Sequence, residues 1–300
     1  MLRWRLILGV LFIAVLFGLV WADDKLQADA GLPAGVFLVP LALLITFGAT
    51  QEFLRFVRVR EPAVGGVVPY VGNLAIVAAP WLATLTGGSA FAGDWQAAAF
   101  AFSVIAVFLF EMTRYDKDKS TRVTERIALS IACLAYVGLL MSFVVRLRLF
   151  PFGVFPIVAM LVVVKLGDIG AYTFGRLYGR RKLAPRLSPG KTIEGLIGGV
   201  ALSMFGGWLA ARWFGIDFSV DPSAFLAWTT FAVVTCLIGV VGDLTESMLK
   251  RDYGLKDSSA WLPGFGGVLD IIDSPLLAAP VAWLFWQCGW LGPAAMITGG

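Results

Sequence analysis

Hydrophobic positions along the chain fall in long blocks, separated by short polar stretches rich in arginine, lysine, glycine and proline. A membrane-crossing helix needs about 20 mostly apolar residues. Blocks of that kind lie at 5–22, 31–50, 63–86, 96–112, 127–145, 149–166, 195–214, 223–242 and 274–298. The pattern predicts an all-α, polytopic integral membrane protein with about nine transmembrane helices. Spans one to five are expected to form an N-terminal region over 1–148, and spans six to nine a C-terminal region over 149–300. Most of the polar sequence sits in this second region, in the stretches 167–194 and 243–273. The first block reads as a retained helix, because no small-x-small cleavage site follows it.

Charge orients the spans. Lysine and arginine in short loops favour the cytoplasmic side. Arg3 and Arg5 precede the first block, and an acidic stretch follows it. Arg55, Arg58 and Arg60 follow the second; Arg114, Lys117, Lys119, Arg122 and Arg126 follow the fourth. A run from Arg176 to Lys191 follows the sixth, and Lys250, Arg251 and Lys256 follow the eighth. All of these alternate to one side, which is read as cytoplasmic. Arg146 and Arg148, between spans five and six, fall on the other side as an exception.

Composition agrees: 59% of the residues are hydrophobic and 15% charged, against about half and about a quarter in a soluble domain. The absence of histidine removes triads that use an imidazole base. Cys133, Cys236 and Cys288 lie apart in apolar runs and read as small core residues rather than metal ligands. A transporter is disfavoured, since no internal repeat with matching broken spans is found.

The chemistry lies in the two polar stretches. Gly190, Lys191 and Thr192 suggest a P-loop, but its first glycine is replaced by Pro185, which has no N–H for a phosphate. Pro189 and Gly190 instead suggest a tight turn, with Thr192 capping the next helix and Glu194 in its first turn. Lys191 then stands at a helix N-terminus, a place suited to phosphate. Lys165, Asp168 and Tyr172 are spaced to share one side of span six. If span eight continues past Val241, then Asp243, Glu246, Ser247 and Lys250 share one helical face. A glycine-rich loop follows, in which Gly264, Gly266 and Gly267 allow close backbone approach to a ligand. It leads to Asp270 and Asp273, one turn apart at the start of span nine. Carboxylates at the end of an apolar helix are costly unless paired or bound to metal, and Mg²⁺ prefers such oxygen ligands. Carboxylates for Mg²⁺, with cations and a helix N-terminus for phosphate, are the equipment for phosphoryl or nucleotidyl transfer to a lipid.

These residues resemble the phosphatidate cytidylyltransferases. The similarity rests on Ser247, Lys250 and Arg251; Lys256 and Asp257; Pro263, Gly264, Phe265, Gly266 and Gly267; and Asp270, Ile271 and Asp273. An upstream block adds Asp168, Ser188, Lys191, Thr192 and Glu194. Phe265 and Ile271 stand where the family signature has histidine and arginine, and the chain is read as an active variant, since the carboxylates and lysines remain.

The resemblance implies that CTP and phosphatidate give CDP-diacylglycerol and pyrophosphate, with Mg²⁺, at the cytoplasmic face of the cell's inner membrane. It implies Asp243, Asp270, Asp273 and Asp168 as metal ligands. Lys191, Lys250, Arg251 and Lys256 would be the catalytic cations. Ser188, Thr192, Ser247, Gly264, Gly266 and Gly267 would contact substrate. Expected partners are CTP, phosphatidate and membrane lipids, with a homodimer allowed and nucleic acid excluded. The rival readings are a CTP-dependent polyprenol or phytol kinase and a non-catalytic lipid-binding membrane protein.

Overall fold

The computed structural model describes residues 18–25, 27, 29, 31–86, 92–116, 122–255 and 266–291. Eight helical segments among them are long and apolar enough to cross a membrane. They are α1 (Leu38–Arg58), α2 (Val67–Thr86) and α3 (Ala92–Thr113), then a fourth span built from three pieces. That span joins α4 (Val123–Cys133) through a π-helical turn, Leu134–Leu139, to α5 (Leu140–Arg148). The remainder are α6 (Phe155–Tyr178), α7 (Ile193–Trp213), α8 (Pro222–Asp252) and α9 (Val268–Gln287). They correspond to the second through ninth hydrophobic blocks. The first block lies mostly outside the described residues, and residues 18–25 are helical.

The chain forms two compact units. One comprises Met1–Gly153 with Leu249–Ile271; the other comprises Val154–Met248 with Ile272–Gly300. The stretch from Leu249 to Ile271 thus groups with the N-terminal helices.

The first unit buries Ile76, Val107 and Leu134 together and also buries several charges. Arg126, expected in a loop, lies inside α4, where its Nε and Nη2 reach the Glu111 carboxylate at 2.9 and 2.8 Å. A cation inside an apolar span must find such a partner. The two exceptions to the charge pattern find partners as well. Arg148 Nε donates to Asp23 Oδ2 at 2.6 Å, with both side chains buried, and Arg148 Nη2 donates to Gln27 at 2.7 Å. Arg146 donates to Gln96 Oε1 at 3.2 Å. Asp23 also accepts from the Gly35 and Phe37 amides. Arg148 is therefore neutralised inside the protein and does not act as a free basic loop.

In the second unit, α6 and α7 meet through glycines. A Cβ added at Gly170 would lie 2.6 Å from the Gly198 carbonyl oxygen, and one at Gly195 would lie 2.7 Å from that of Ala171. Small residues at helical spacing let two backbones touch, and dispersion contacts and short polar bonds then hold them. One such bond runs from Ser203 Oγ to the Val163 carbonyl at 2.9 Å. Aromatic rings fill another part of this unit: Phe155 stacks on Phe214 at 4.3 Å, and Trp228 meets Trp286 edge-on at 6.0 Å.

Between α6 and α7 lies the described strand structure, a hairpin of β1 (Lys182–Ala184) and β2 (Ser188–Thr192). The tight turn expected at Pro189 and Gly190 is displaced: those residues lie in β2, and the turn runs over 185–187. Proline is tolerated in β2 because each strand of a two-stranded hairpin has a free edge. The hairpin is tied to the helix that follows it. Ile193 N donates to the Arg181 carbonyl at 2.9 Å, and the Glu194 carboxylate accepts from the Arg180 and Arg181 amides at 3.0 and 3.1 Å.

Candidate active site

The site in the second unit begins with helix length. The β-branched and apolar run of α8 passes without a breaker into Gly242 and Asp243, so the helix continues for 31 residues to Asp252. Asp243, Glu246 and Ser247 therefore occupy neighbouring turns of one face. Facing them is the first part of α9. A Cβ on Gly242 would collide with the Asp273 carbonyl oxygen and lie 3.1 Å from Ser274 Cα. Glycine at 242 is what lets the two backbones approach this closely, and the approach brings three carboxylates together. Oxygens of Asp243, Glu246 and Asp273 all lie within 4.8 Å of one another. Glu246 and Asp273 are buried, and Asp243 is partly exposed.

Lys191 supplies charge to this cluster. Its Nζ lies 2.6 Å from Asp243 Oδ2 and 3.5 Å from the Val240 carbonyl. The lysine is delivered by the end of β2, immediately before Thr192 caps α7. The Thr192 hydroxyl accepts from the Gly195 amide at 3.1 Å, an N-cap contribution of about 1 kcal/mol. Ser188 is half-buried at the other end of β2. Ser247 Oγ lies 3.5 Å from Asp243 Oδ1. Asp168, in α6, pairs with Lys165 at 3.3 Å, and Arg176 donates to the Tyr172 hydroxyl at 3.0 Å.

Hard oxygen donors at this separation fit a small divalent cation, which takes one or two carboxylates and completes its shell with water and phosphate oxygens. Of the four carboxylates expected as ligands, Asp243 and Asp273 belong to this cluster, and Asp168 and Asp270 do not. Glu246 joins Asp243 and Asp273, although sequence spacing placed it on the shared face without marking it as a ligand.

In the first unit, Asp270 has another setting. Its Oδ1 lies 2.5 Å from Lys250 Nζ, and its Oδ2 accepts from the Gly267 amide at 2.6 Å. Gly266 has φ +84°, in the left-handed region that glycine favours, and a side chain there would strike the Asp270 carboxylate. At Gly267 the space for a Cβ is taken by the carboxylate of Glu52, 2.6 Å from its Oε1. The close approach expected of these glycines is thus made to the chain's own carboxylates. Arg251 is exposed on the last turn of α8. Lys256, Asp257, Pro263, Gly264 and Phe265 lie outside the described residues.

Residues 3–289 match the profile of the Cytidylyltransferase family. A phosphatidate cytidylyltransferase of Staphylococcus aureus (strain COL) is 32% identical over 254 residues, covering 83% of this chain and 90% of that protein. One from Staphylococcus haemolyticus (strain JCSC1435) is 33% identical over 252 residues, with the same coverage of 83% and 90%. One from Pseudomonas aeruginosa is 45% identical over 150 residues; that match covers 50% of this chain and 54% of the relative, about half its length.

Proposed function

Because the chain belongs to the Cytidylyltransferase family, we propose that it transfers the cytidylyl group of CTP to phosphatidate, giving CDP-diacylglycerol and pyrophosphate. The observation that carries this reading is the convergence of Asp243, Glu246 and Asp273 beside Lys191, in a helical membrane protein of that family. An oxygen of the phosphatidate phosphate forms a bond to the α-phosphorus of CTP. The bond from that phosphorus to the bridging oxygen of the β-phosphate breaks, and pyrophosphate leaves with the electron pair. The attacking phosphate is already ionised, so no general base is required, and a chain without histidine can run the reaction. Phe265 in place of the signature histidine is compatible with activity for the same reason, and Ile271 in place of arginine because the carboxylates and lysines remain.

Asp243, Glu246 and Asp273 would hold Mg²⁺. When bound, the ion supplies charge neutralisation on the attacking and leaving oxygens. The remaining work belongs to the chain's own groups and is mainly positioning and electrostatic preorganisation. Lys191 is oriented by Asp243 and Lys250 by Asp270, so neither ammonium must be ordered at the moment of reaction. By the family resemblance, Lys191, Lys250, Arg251 and Lys256 are each proposed as cations for substrate phosphates. Ser188, Thr192 and Ser247 would donate hydroxyl hydrogen bonds to those phosphates. Asp168 pairs with Lys165 and Asp270 with Lys250; as further carboxylates for the ion they are proposed from the family resemblance. The basic residues at the ends of α1, α6 and α8 support a cytoplasmic orientation for the site.

The test is isotopic. Purified protein is given phosphatidate, Mg²⁺ and CTP carrying label on either the α- or the γ-phosphate. Cytidylyl transfer puts α-label in the lipid and γ-label in pyrophosphate. The γ-label in lipid would establish a kinase instead, and no transfer of either would leave a non-catalytic lipid-binding protein.

A further inference from the structure

We propose that Glu52 is a positioning residue for cytidylyl transfer, holding the first turn of α9 so that Asp270 keeps Lys250 in place; this rests on the function proposed above. Glu52 is the one acidic residue of α1, and an ionisable side chain within a membrane span needs a reason to be there. The buried threonines earlier on the same helix donate within that helix. Thr46 and Thr50 donate to the carbonyls of Ala42 and Thr46, at 2.7 Å each. Glu52 instead reaches across more than 200 positions of sequence. Its Oε1 accepts from the Val268 amide and its Oε2 from the Leu269 amide, both at 2.9 Å.

The opening turn of a helix leaves its amide donors without intrahelical partners. In α9 two carboxylates divide them: Asp270 takes Gly267, and Glu52 takes Val268 and Leu269. Charge favours this, because the N-terminal end of a helix carries positive potential and hydrogen bonds to an ionised acceptor are the stronger kind. Glu52 is only 5% exposed, so little water competes for these bonds. Its helix also touches the same turn one turn earlier, where a Cβ on Gly48 would lie 3.0 Å from Val268 Cγ2. The turn held in this way carries Asp270, whose remaining oxygen is 2.5 Å from Lys250 Nζ. A shift of the turn would therefore move the lysine offered to phosphate, without removing any group that touches substrate.

The experiment uses the full-length protein in detergent or nanodiscs, with Glu52→Gln and Glu52→Asp variants. Glutamine keeps the size but has one acceptor oxygen, and its NH₂ would oppose a second amide donor. A misplacement of about 1 Å costs on the order of 10²-fold in rate, so Glu52→Gln is expected to lower kcat by roughly that factor. KM for CTP and phosphatidate should change far less. Hydrogen exchange at residues 266–271 should accelerate in Glu52→Gln while the other helices keep their protection. Glu52→Asp, which retains the charge, should recover part of both effects.

Unchanged kcat in Glu52→Gln would overturn the proposal. So would a loss accompanied by faster exchange throughout the helices, which is the mark of a residue that only stabilises the fold. The function itself fails separately, if the unmodified protein transfers no α-label to lipid; exchange at 266–271 then still decides whether Glu52 holds the turn.

Discussion

In the first unit Asp23, Glu52, Glu61 and Glu111 are all buried, and each meets its own donors. Arg148 answers Asp23, Arg122 answers Glu61 at 2.7 Å, Arg126 answers Glu111, and two helix amides answer Glu52. In the second unit Glu246 and Asp273 are buried beside Asp243, with oxygens of all three within 4.8 Å. The two arrangements serve different ends. A carboxylate with its own cation or amides fixes the relative placement of two elements. Two like charges about 4 Å apart repel by about 4 kcal/mol at an effective dielectric constant of about 20. Three brought together oppose folding unless positive charge joins them; Lys191, 2.6 Å from Asp243, supplies part of it, and such crowding fits a site of chemistry rather than of architecture.

The contrast can be broken most directly at the crowded carboxylates. Asp243→Asn and Asp273→Asn each remove a charge at nearly constant size. Loss of several kcal/mol of transition-state stabilisation corresponds to a fall in kcat of more than about 10³-fold. Thermal stability of Asp273→Asn measured without Mg²⁺ should stay level or rise, because a repulsion is relieved, whereas Asp243→Asn also gives up the Lys191 ion pair. Near-native turnover in both variants, or a large loss of stability of Asp273→Asn in metal-free buffer, would erase the distinction between the two units.

The reverse outcome is expected for the buried pair Asp23–Arg148. Removing either partner leaves an uncompensated buried charge and should cost about 3–5 kcal/mol of stability. Replacing both, as in Asp23→Leu with Arg148→Met, should lie closer to the native protein than either single change. Turnover per folded molecule should be nearly untouched. Denaturation and active-fraction titration across the cycle check this; a folded Arg148→Met protein with little activity would place the pair in the catalytic machinery.

A smaller effect is expected from Gly242→Ala, which changes no charge. The added methyl would collide with the Asp273 carbonyl and push α8 from α9. A separation of about 1 Å should reduce turnover on the order of 10²-fold and weaken activation by Mg²⁺ in a titration. An alanine variant with native Mg²⁺ dependence would show that the carboxylates need not be held this closely.

Much of the architecture was legible along the chain. Eight of the nine hydrophobic blocks correspond to the eight described spans, because length and apolarity are properties of a segment alone. The Thr192 cap and the shared face of Asp243, Glu246 and Ser247 follow from positions three or four apart on one helix. The hairpin was not legible, since Pro189 and Gly190 are ordinary turn residues and their strand depends on pairing with Lys182–Ala184. Arg126 and Arg148 looked like loop charges until their acidic partners appeared on other segments.

The sequence by itself determined how many apolar segments there are, where the polar chemistry lies along them, and which residues share a helical face. The tertiary structure decided which carboxylates meet. Asp270 and Asp273 are one turn apart on α9 and alike in sequence, yet one holds Lys250 and the other joins Asp243 and Glu246. Glu52 reads as a lone acid in a span until α9 places two amides against it. The reason is physical: periodicity fixes the direction of a side chain around its own helix axis, but a charge's partner depends on which other helix packs there. That packing is set here by close contacts such as Gly242 against Asp273 and Gly48 against Val268, which no local pattern along the chain encodes.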